Sequence, residues 1–547
     1  MEEVDMHRLG WAGLSEELSA DEARAIDLNA EHLGVPRGLL MENAGRSVAE
    51  AVCSKLRLQG ARVLIAAGAG NKGGDGFVAA RHLAGRGAEV TVVLVGSEAE
   101  LASQEAKMNW EALKNMDLSV TAVTLSQVGG VEAVSRMAEE ADVVVDALVG
   151  IGLRGGLREP MKGVVEALNR CRGLKVAIDV PTGLDPDTGE VAGSAFKAHV
   201  TVTMHKPKRG LSRSPDWVGE VVVADIGIPL EAEVYVGPGD VALIAKPRRP
   251  DTHKYDYGVV LIVGGSPLYA GAPALAAMAA LKAGVGLALV ATPSSAAPYI
   301  KSFSPDMIVY DLRTEWIDEE AARRIRELGL LERVNVVVLG PGLGFNEATV
   351  AGFKDLLAEV VGRGLRALID ADGLKALSKL GPPPKPLDLA LTPHGGEFKA
   401  LMGEEPPRGL AEAAEAARKL ALKYGSVVLL KGHRSIITDG SRVKVNRTGN
   451  PGMAVGGVGD VLSGLAAGFM AQGATTFQAC CAASYINGRA GDLAAAERGY
   501  HFTASDLLNV VPKALRELEP WAAGYAERTA PRRGAYKLVE ALLEGGR

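Results

Sequence analysis

The chain repeats one pattern twice: a short, apolar, β-branched run followed by a segment of helical period, with a single lapse between the two series. In the first series the runs fall at 62–67, 89–95, 142–148, 174–180, 199–205 and 219–224, separated by helix-period segments such as 76–84, 98–115 and 158–171. Apolar strands separated by helices imply a parallel sheet covered on both faces. The pattern lapses over 227–253, which holds Pro229, Pro238, Pro247 and Pro250 and the basic cluster Lys246-Pro247-Arg248-Arg249-Pro250. This reads as a domain junction; the cluster is too short to prefer a nuclear-targeting role. Alternation restarts at Tyr257, with runs at 259–263, 287–291, 334–339, 367–369, 387–392, 426–430, 435–438 and 443–446, and a mostly helical stretch over 460–519. Two domains are expected, 1–230 and 253–547, joined by a linker at 231–252. The proline run Pro382-Pro383-Pro384-Lys385-Pro386 reads as a stiff loop. The tail, 524–547, shows helical character at 536–543.

Composition excludes several classes. With 547 residues the chain is too long for one ordinary core, and its 47% apolar and 23% charged residues are those of a globular protein. A net charge of −6 with both signs interspersed argues against nucleic acid or an anionic membrane as partner. The four cysteines have no metal-type spacing and read as buried small residues in a reducing compartment. The first residues lack the basic and apolar regions of a signal peptide, and a cytoplasmic location is expected. The most apolar window, 270–291, contains Pro273, Lys282 and three glycines, so it reads as a buried helix entering a strand rather than a membrane span.

Glycine-rich segments gather where strands end. The run at 62–67 leads into Gly68-Ala69-Gly70-Asn71-Lys72-Gly73-Gly74-Asp75-Gly76, whose Gly68, Gly70 and Gly73 satisfy a dinucleotide fingerprint. The ribose-reading acid is not clear after the second strand. Asp75 would repel a pyrophosphate, so the loop should receive hydroxyls or amides as well as phosphate. Two more strand ends, Asp146 to Gly156 and Asp179-Val180-Pro181-Thr182, would share the same sheet edge. Either aspartate alone could simply cap a turn; three glycine-rich ends together favour a cleft.

In the second series the most informative string is Asn450-Pro451-Gly452-Met453-Ala454-Val455-Gly456-Gly457-Val458-Gly459-Asp460, directly before an apolar helix. Converging backbone N–H groups and the positive helix end should hold an anion, with Asp460 at its mouth. Gly264-Gly265-Ser266, Gly340-Pro341-Gly342-Leu343-Gly344, Asp370-Ala371-Asp372-Gly373, Thr392-Pro393-His394-Gly395-Gly396-Glu397 and Lys431-Gly432-His433-Arg434 stand at further strand ends. A lysine that ends an apolar strand and precedes glycine suits a phosphate.

These motifs resemble two families. Residues 14–229, beginning with Leu40-Met41-Glu42-Asn43-Ala44-Gly45-Arg46, are similar to the NAD(P)H-hydrate epimerases; 251–512 resemble the nucleotide-dependent NAD(P)H-hydrate dehydratases, relatives of the ribokinase-like kinases. The resemblance implies an α/β chain, a Rossmann-like three-layer domain fused to a ribokinase-like domain, acting as isomerase and lyase in cofactor repair. It implies that Asn71, Lys72, Gly73, Gly74 and Asp75, with Gly150, Ile151, Gly152, Leu153, Arg154, Gly155 and Gly156, hold the damaged dinucleotide. Asp179 would contact the hydrated ring. Position 72, Asp146 and Thr182 match the epimerases' potassium site, where asparagine is usual at 72 and this chain has Lys72. In the dehydratase part, Ala272, Gly342, His394 and Asp460 would contact the hydrate, while Lys431, Gly432, His433, Arg434, Ser435 and Gly459 would contact the nucleotide.

Two departures are visible. Gly457-Val458-Gly459-Asp460 has valine where the dehydratases have threonine, and Gly395 replaces a frequent proline, which should loosen its loop. By the same resemblance, the substrates are NADH hydrate, NADPH hydrate and ADP, magnesium accompanies the nucleotide, and a homo-oligomer is expected. Asp460 would act as general base and Asp179 as the catalytic group of the epimerase. The alternative is a ribokinase-like small-alcohol kinase fused to a non-catalytic dinucleotide-binding module.

Overall fold

Each half of the chain builds a sheet whose strand order reverses once. The computed structural model describes residues 15–153, 155–244, 248, 251–384 and 387–518. The chain divides into two units between Ala232 and Glu233.

Among the described residues of the first unit, seven strands form one sheet: β1 (Arg62–Ala67), β2 (Glu89–Leu94), β3 (Val120–Thr124), β4 (Val143–Ala147), β5 (Leu174–Ile178), β6 (Val200–Met204) and β7 (Glu220–Ala224). Their order is β3-β2-β1-β4-β5-β6-β7, all neighbours parallel. The order reverses between β1 and β4, the place where a parallel sheet opens a crevice beyond its carboxyl ends. A Cβ on Gly68 would stand 2.2 Å from the carbonyl oxygen of Leu148, so the loops leaving β1 and β4 cross only because that side chain is missing.

The helix after β1 runs over Asn71–Ala84, five residues earlier than its periodicity indicates. Glycines cost helical stability, about 1 kcal/mol each, and their density suggests a loop. Packing overrides that cost. Gly74 lies under the Met41 side chain, and Gly45 of the helix Arg37–Cys53 admits Val78. The Leu40 to Arg46 motif thus presses one helix onto another. Asn43 Nδ2 adds a 3.0 Å bond to the carbonyl of Ile226.

The second unit has nine strands among its described residues: β8 (Val259–Val263), β9 (Leu287–Thr292), β10 (Ile308–Asp311), β11 (Val336–Leu339), β12 (Arg366–Ile369), β13 (Leu389–Leu391), β14 (Val427–Leu430), β15 (Ser435–Thr438) and β16 (Val443–Asn446). The order is β10-β9-β8-β11-β12-β13-β14-β15-β16. It is parallel through β14 and antiparallel over the last two pairings. The reversal lies between β8 and β11, and a Cβ on Gly264 would again meet a carbonyl, that of Pro341, at 2.2 Å. The apolar window forms the buried helix Gly271–Ala283 leading into β9. It packs on the helix Val458–Ala471, where Gly464 makes room for the Ala276 carbonyl. Among the described residues no helix is long and apolar enough to cross a membrane.

Two differences from the sequence reading stand out. Strands β3 and β10 occupy sheet edges and carry no uniform apolar run; most of their residues are partly or fully exposed. The stretch read as a linker from 231 is part of the second unit from Glu233: Val236 and Val241 are core residues there, and Pro238–Ala242 is a short helix. Arg154, Lys246, Pro247, Arg249, Pro250, Lys385, Pro386 and the whole tail 524–547 lie outside the described residues.

Candidate active sites

At the first crevice, the ends of β1, β4 and β5 bring together most of the residues singled out in the sequence. Lys72 opens the helix Asn71–Ala84 and turns inward, its side chain only 6% exposed. Its Nζ donates to Asp146 Oδ2 at 2.9 Å, the Val180 carbonyl at 2.8 Å, Thr182 Oγ1 at 3.1 Å and the Val149 carbonyl at 3.3 Å. Asp146 is wholly buried. Its carboxylate also accepts from Thr182 N at 2.8 Å, Thr182 Oγ1 at 2.6 Å and Leu148 N at 3.2 Å. Gly150 leaves a gap beside the Lys72 stem, since a Cβ there would come 3.4 Å from Lys72 Cδ.

Asp179 follows β5 with φ 60°, a left-handed conformation that aspartate tolerates better than most residues. Its Oδ1 accepts from Lys208 Nζ at 2.5 Å and from Met204 N at 3.3 Å. Lys208 is 2% exposed and its ammonium also meets the carbonyls of Met204 and Lys206. Asp179 Oδ2 faces Gly150, 3.8 Å from where a Cβ would stand. Burial pushes the Asp27 carboxyl up to about 6, opposed chiefly by Lys208. Burial and the Asp179 charge drive Asp75 well above the usual carboxylate range. Burial likewise draws the Lys72 ammonium downward, against the pull of Asp146.

The site is therefore a field of four aspartates and two lysines. Asn71, Gly152, Gly155 and Gly156 are exposed, Gly150, Ile151 and Leu153 partly so, and Gly73 and Gly74 are buried in the helix start. Lys208 and Asp27 escaped the sequence reading. The one available signal for Lys208 was its place four residues beyond the end of β6, on the edge where the other groups gather.

The second site forms around Lys431, at the end of β14. Its Nζ lies 2.9 Å from Asp370 Oδ1 and 3.6 Å from Glu397 Oε2. The carboxylate of Asp370, just beyond β12, also accepts from Ser463 Oγ at 2.5 Å. Gly459 sits against this lysine, with 3.5 Å between Lys431 Nζ and a Cβ built there. Asp460 follows in the first turn of Val458–Ala471, after Gly457 at φ 93°. Burial, then the nearby Asp370 charge, pushes the Asp460 carboxyl up to about 7, with Lys431 opposing. Such a group can take and return a proton near neutrality.

Gly342, at φ 63°, stands against Tyr269 and 3.4 Å from the Ala272 methyl if given a Cβ, so Gly342 and Ala272 share one wall. His394 caps the helix Gly395–Met402: its Nδ1 accepts from Gly396 N at 3.0 Å and Glu397 N at 3.4 Å, while Glu397 Oε2 accepts from His394 N at 2.8 Å. This reciprocal cap fixes the loop at Gly395, correcting the expectation that it is loose. Gly432, His433 and Arg434 are exposed in the β14–β15 turn, and Ser435 begins β15. Asn450 Oδ1 accepts from Gly452 N at 3.0 Å and its Nδ2 donates to Asp492 Oδ1 at 3.1 Å, tying the Asn-Pro-Gly turn to the helix Thr476–Arg498. Ser463 and Tyr269 were not read as site residues, and Asp370 and Glu397 had motifs but no roles.

A family model described as NAD(P)H-hydrate dehydratase matches residues 260–513, and one described as YjeF-related protein N-terminus matches 38–210. The bifunctional NAD(P)H-hydrate repair enzyme Nnr of Pyrobaculum aerophilum is 46% identical over 92% of this chain and 98% of its own. That of Hyperthermus butylicus is 45% identical over 92% and 93%. The chain belongs to the bifunctional NAD(P)H-hydrate repair enzymes. It carries an epimerase domain and a dehydratase domain, as the resemblance implied. A solved ADP/ATP-dependent NAD(P)H-hydrate dehydratase from Bacillus subtilis, co-crystallized with ATP/Mg2+, is 26% identical over 52% of this chain and 98% of its own, with a TM-score of 0.46.

Proposed function

We propose that the Asp179 site interconverts the R and S epimers of NADH and NADPH hydrates, and that the Asp460 site dehydrates the S form with a nucleotide as phosphate donor. The observation that carries the second assignment is Asp460 itself, a carboxyl held at about 7 at the start of a glycine-lined helix, beside Lys431. Hydroxide is a poor leaving group. Asp460 takes the proton of the ring hydroxyl as its oxygen attacks the terminal phosphoryl group, and the helix start and Lys431 offset the phosphate charge. Phosphate then departs with the C–O electron pair while a proton leaves the neighbouring ring carbon, restoring the double bond.

In the first site Asp179 moves a proton to and from the ring hydroxyl, so that the hydroxyl leaves and returns on either face. Lys208 orients Asp179 through its bond to Oδ1, and Gly150 leaves its Oδ2 accessible. Asn71, Asp75 and the loop from Gly150 line the place for the dinucleotide, while Lys72, Gly73 and Gly74 are buried behind them.

Magnesium fits as a companion of the nucleotide. Among the described residues no cluster of three His, Cys, Asp or Glu side chains forms a metal cage; magnesium is commonly held by one or two carboxylates together with substrate phosphates. Asp370 and Glu397 are the carboxylates at that position, and the ion would neutralise phosphate charge. Potassium does not fit the first site in the same way, because the Lys72 ammonium already meets its oxygens. ADP is the favoured donor by resemblance to fused repair enzymes.

Incubation with NADH hydrate and ADP tests the whole reading. Recovery of the reduced nicotinamide absorbance with release of AMP and inorganic phosphate is expected. A stable phosphoester in place of NADH defeats it.

A further inference from the structure

We propose that Lys72 is a built-in cation that makes the first site independent of potassium. The inference rests on the epimerase reading for its kinetic arm only. Resemblance puts a potassium ion among position 72, Asp146 and Thr182, and an asparagine amide at 72 would supply an oxygen to it. Here the side chain supplies the charge instead. The ammonium lies 2.8–3.3 Å from four oxygens: one carboxylate, one hydroxyl and two carbonyls. Three neutral oxygens and one anion suit a single positive charge, and all four are drawn from the ends of β4 and β5.

The geometry leaves no place for a second cation. An ion close enough to bind these oxygens would share their lone pairs with the ammonium and sit against a like charge in a buried setting. Thr182 is committed as well. It donates to Asp146 Oδ1 at 2.6 Å and accepts from Val149 N at 3.0 Å. The cage also fixes the backbone at Val149 and Val180. Those residues directly precede Gly150 and follow Asp179, so the cation holds the two loops that flank the proposed substrate position. Lys72 is thus a positioning residue, acting through that backbone.

The test compares the full-length protein with Lys72→Asn in potassium chloride and in choline chloride of equal ionic strength. Two readouts are followed, epimerisation of R-hydrate and thermal unfolding of the unit containing Lys72. Wild type should epimerise equally fast in both salts and show the same Tm. Lys72→Asn should lose on the order of 10²-fold in rate in choline, the scale of a small misplacement of the reacting groups, and recover in potassium. Its Tm should rise with potassium concentration, as expected when a ligand binds the folded state alone.

Wild-type dependence on potassium in either readout overturns the proposal. So does a Lys72→Asn protein that is folded and indifferent to potassium. If Lys72→Asn folds in neither salt, the wild-type comparison decides alone. If no epimerisation occurs under any condition, the functional reading fails while the unfolding arm still judges the cage.

Discussion

Lys72 and Lys431 each meet a buried aspartate at 2.9 Å, Asp146 and Asp370 respectively, at the carboxyl edge of a parallel sheet. Beyond that shared contact they diverge. The other oxygens that Lys72 Nζ bonds are a hydroxyl and two carbonyls, so its hydrogen bonds are filled even though the Asp179 and Asp75 charges also act on it. Lys431 is shared with a second carboxylate, Glu397, and lies near a third, Asp460. Three acids to one lysine leave an excess of negative charge, which helps hold Asp460 at about 7. One lysine completes a framework; the other leaves a base poised to work. A buried ion pair therefore signals chemistry only through the groups it leaves uncompensated.

Crossed substitutions probe that contrast most strongly. Asp460→Asn should cut dehydration by about 10²–10⁴-fold, the usual cost of a lost general base, and leave epimerisation intact. Asp179→Ala should do the reverse, so that S-hydrate is repaired at the normal rate while R-hydrate persists. Assaying pure epimers separately checks both. Equal loss on both substrates in Asp179→Ala, or loss of R-to-S conversion in Asp460→Asn, would show that the two sites are coupled.

The next largest effect concerns balance. Lys208→Met leaves Asp179 without its ammonium and removes one of the positive charges that act on Asp27 and Asp75. Breaking a buried pair from one side typically costs about 3–5 kcal/mol, so the first unit should melt earlier in a thermal scan while dehydration survives. Gly68→Ala and Gly264→Ala treat the units alike. Each Cβ would fall 2.2 Å from a carbonyl oxygen across the point of strand-order reversal. Overpacking of this kind costs about 1–3 kcal/mol, and each variant should destabilise its own unit by denaturant titration.

The smallest effect is one of pH. The Asp460 carboxyl rises in the folded state from an ordinary 3.8 to about 7. Between those values the folded chain holds a proton that the unfolded chain has released, so this group's contribution to stability falls as pH rises through about 7. Asp460→Asn, which cannot ionise, should gain about 1–2 kcal/mol over wild type at pH 8 relative to pH 4, less than the full shift because the group is partly solvated. Dehydration by wild type should instead rise through the same range, since the base must be ionised to act. Unfolding and rate profiles measured together check both signs.

Much of this was legible in the sequence. The central strands are buried on both faces, and apolar runs rich in Val, Ile and Leu announce them; β1 and β8 fall where those runs fall, and the shorter β15 and β16 also keep the bounds read from the sequence. Edge strands β3 and β10 were not legible, because a half-exposed strand need not be apolar. The early start of Asn71–Ala84 was hidden for another reason: its glycines serve helix-to-helix and helix-to-loop contacts that no local propensity encodes. Glycine-rich strand ends located both sites, but not the partners that set their electrostatics. Lys208 belongs to no periodic segment, and the pairing of Ser463 with Asp370 spans 93 residues.

The segment after Glu233 bears on how the chain can be cut. Val236 N donates to the Val445 carbonyl at 3.0 Å, and Tyr235 bridges to the same strand, so the segment lies along β16, the last strand of its sheet. Asp240 there meets Lys444 of β16 at 2.5 Å. A truncation beginning at 253, the boundary that composition suggests, would strip that cover, leave Lys444 without its carboxylate and expose a strand edge able to recruit another chain. A truncation beginning at 233 keeps the edge sealed. The second half should therefore express as a well-behaved fragment from the earlier start and aggregate from the later one.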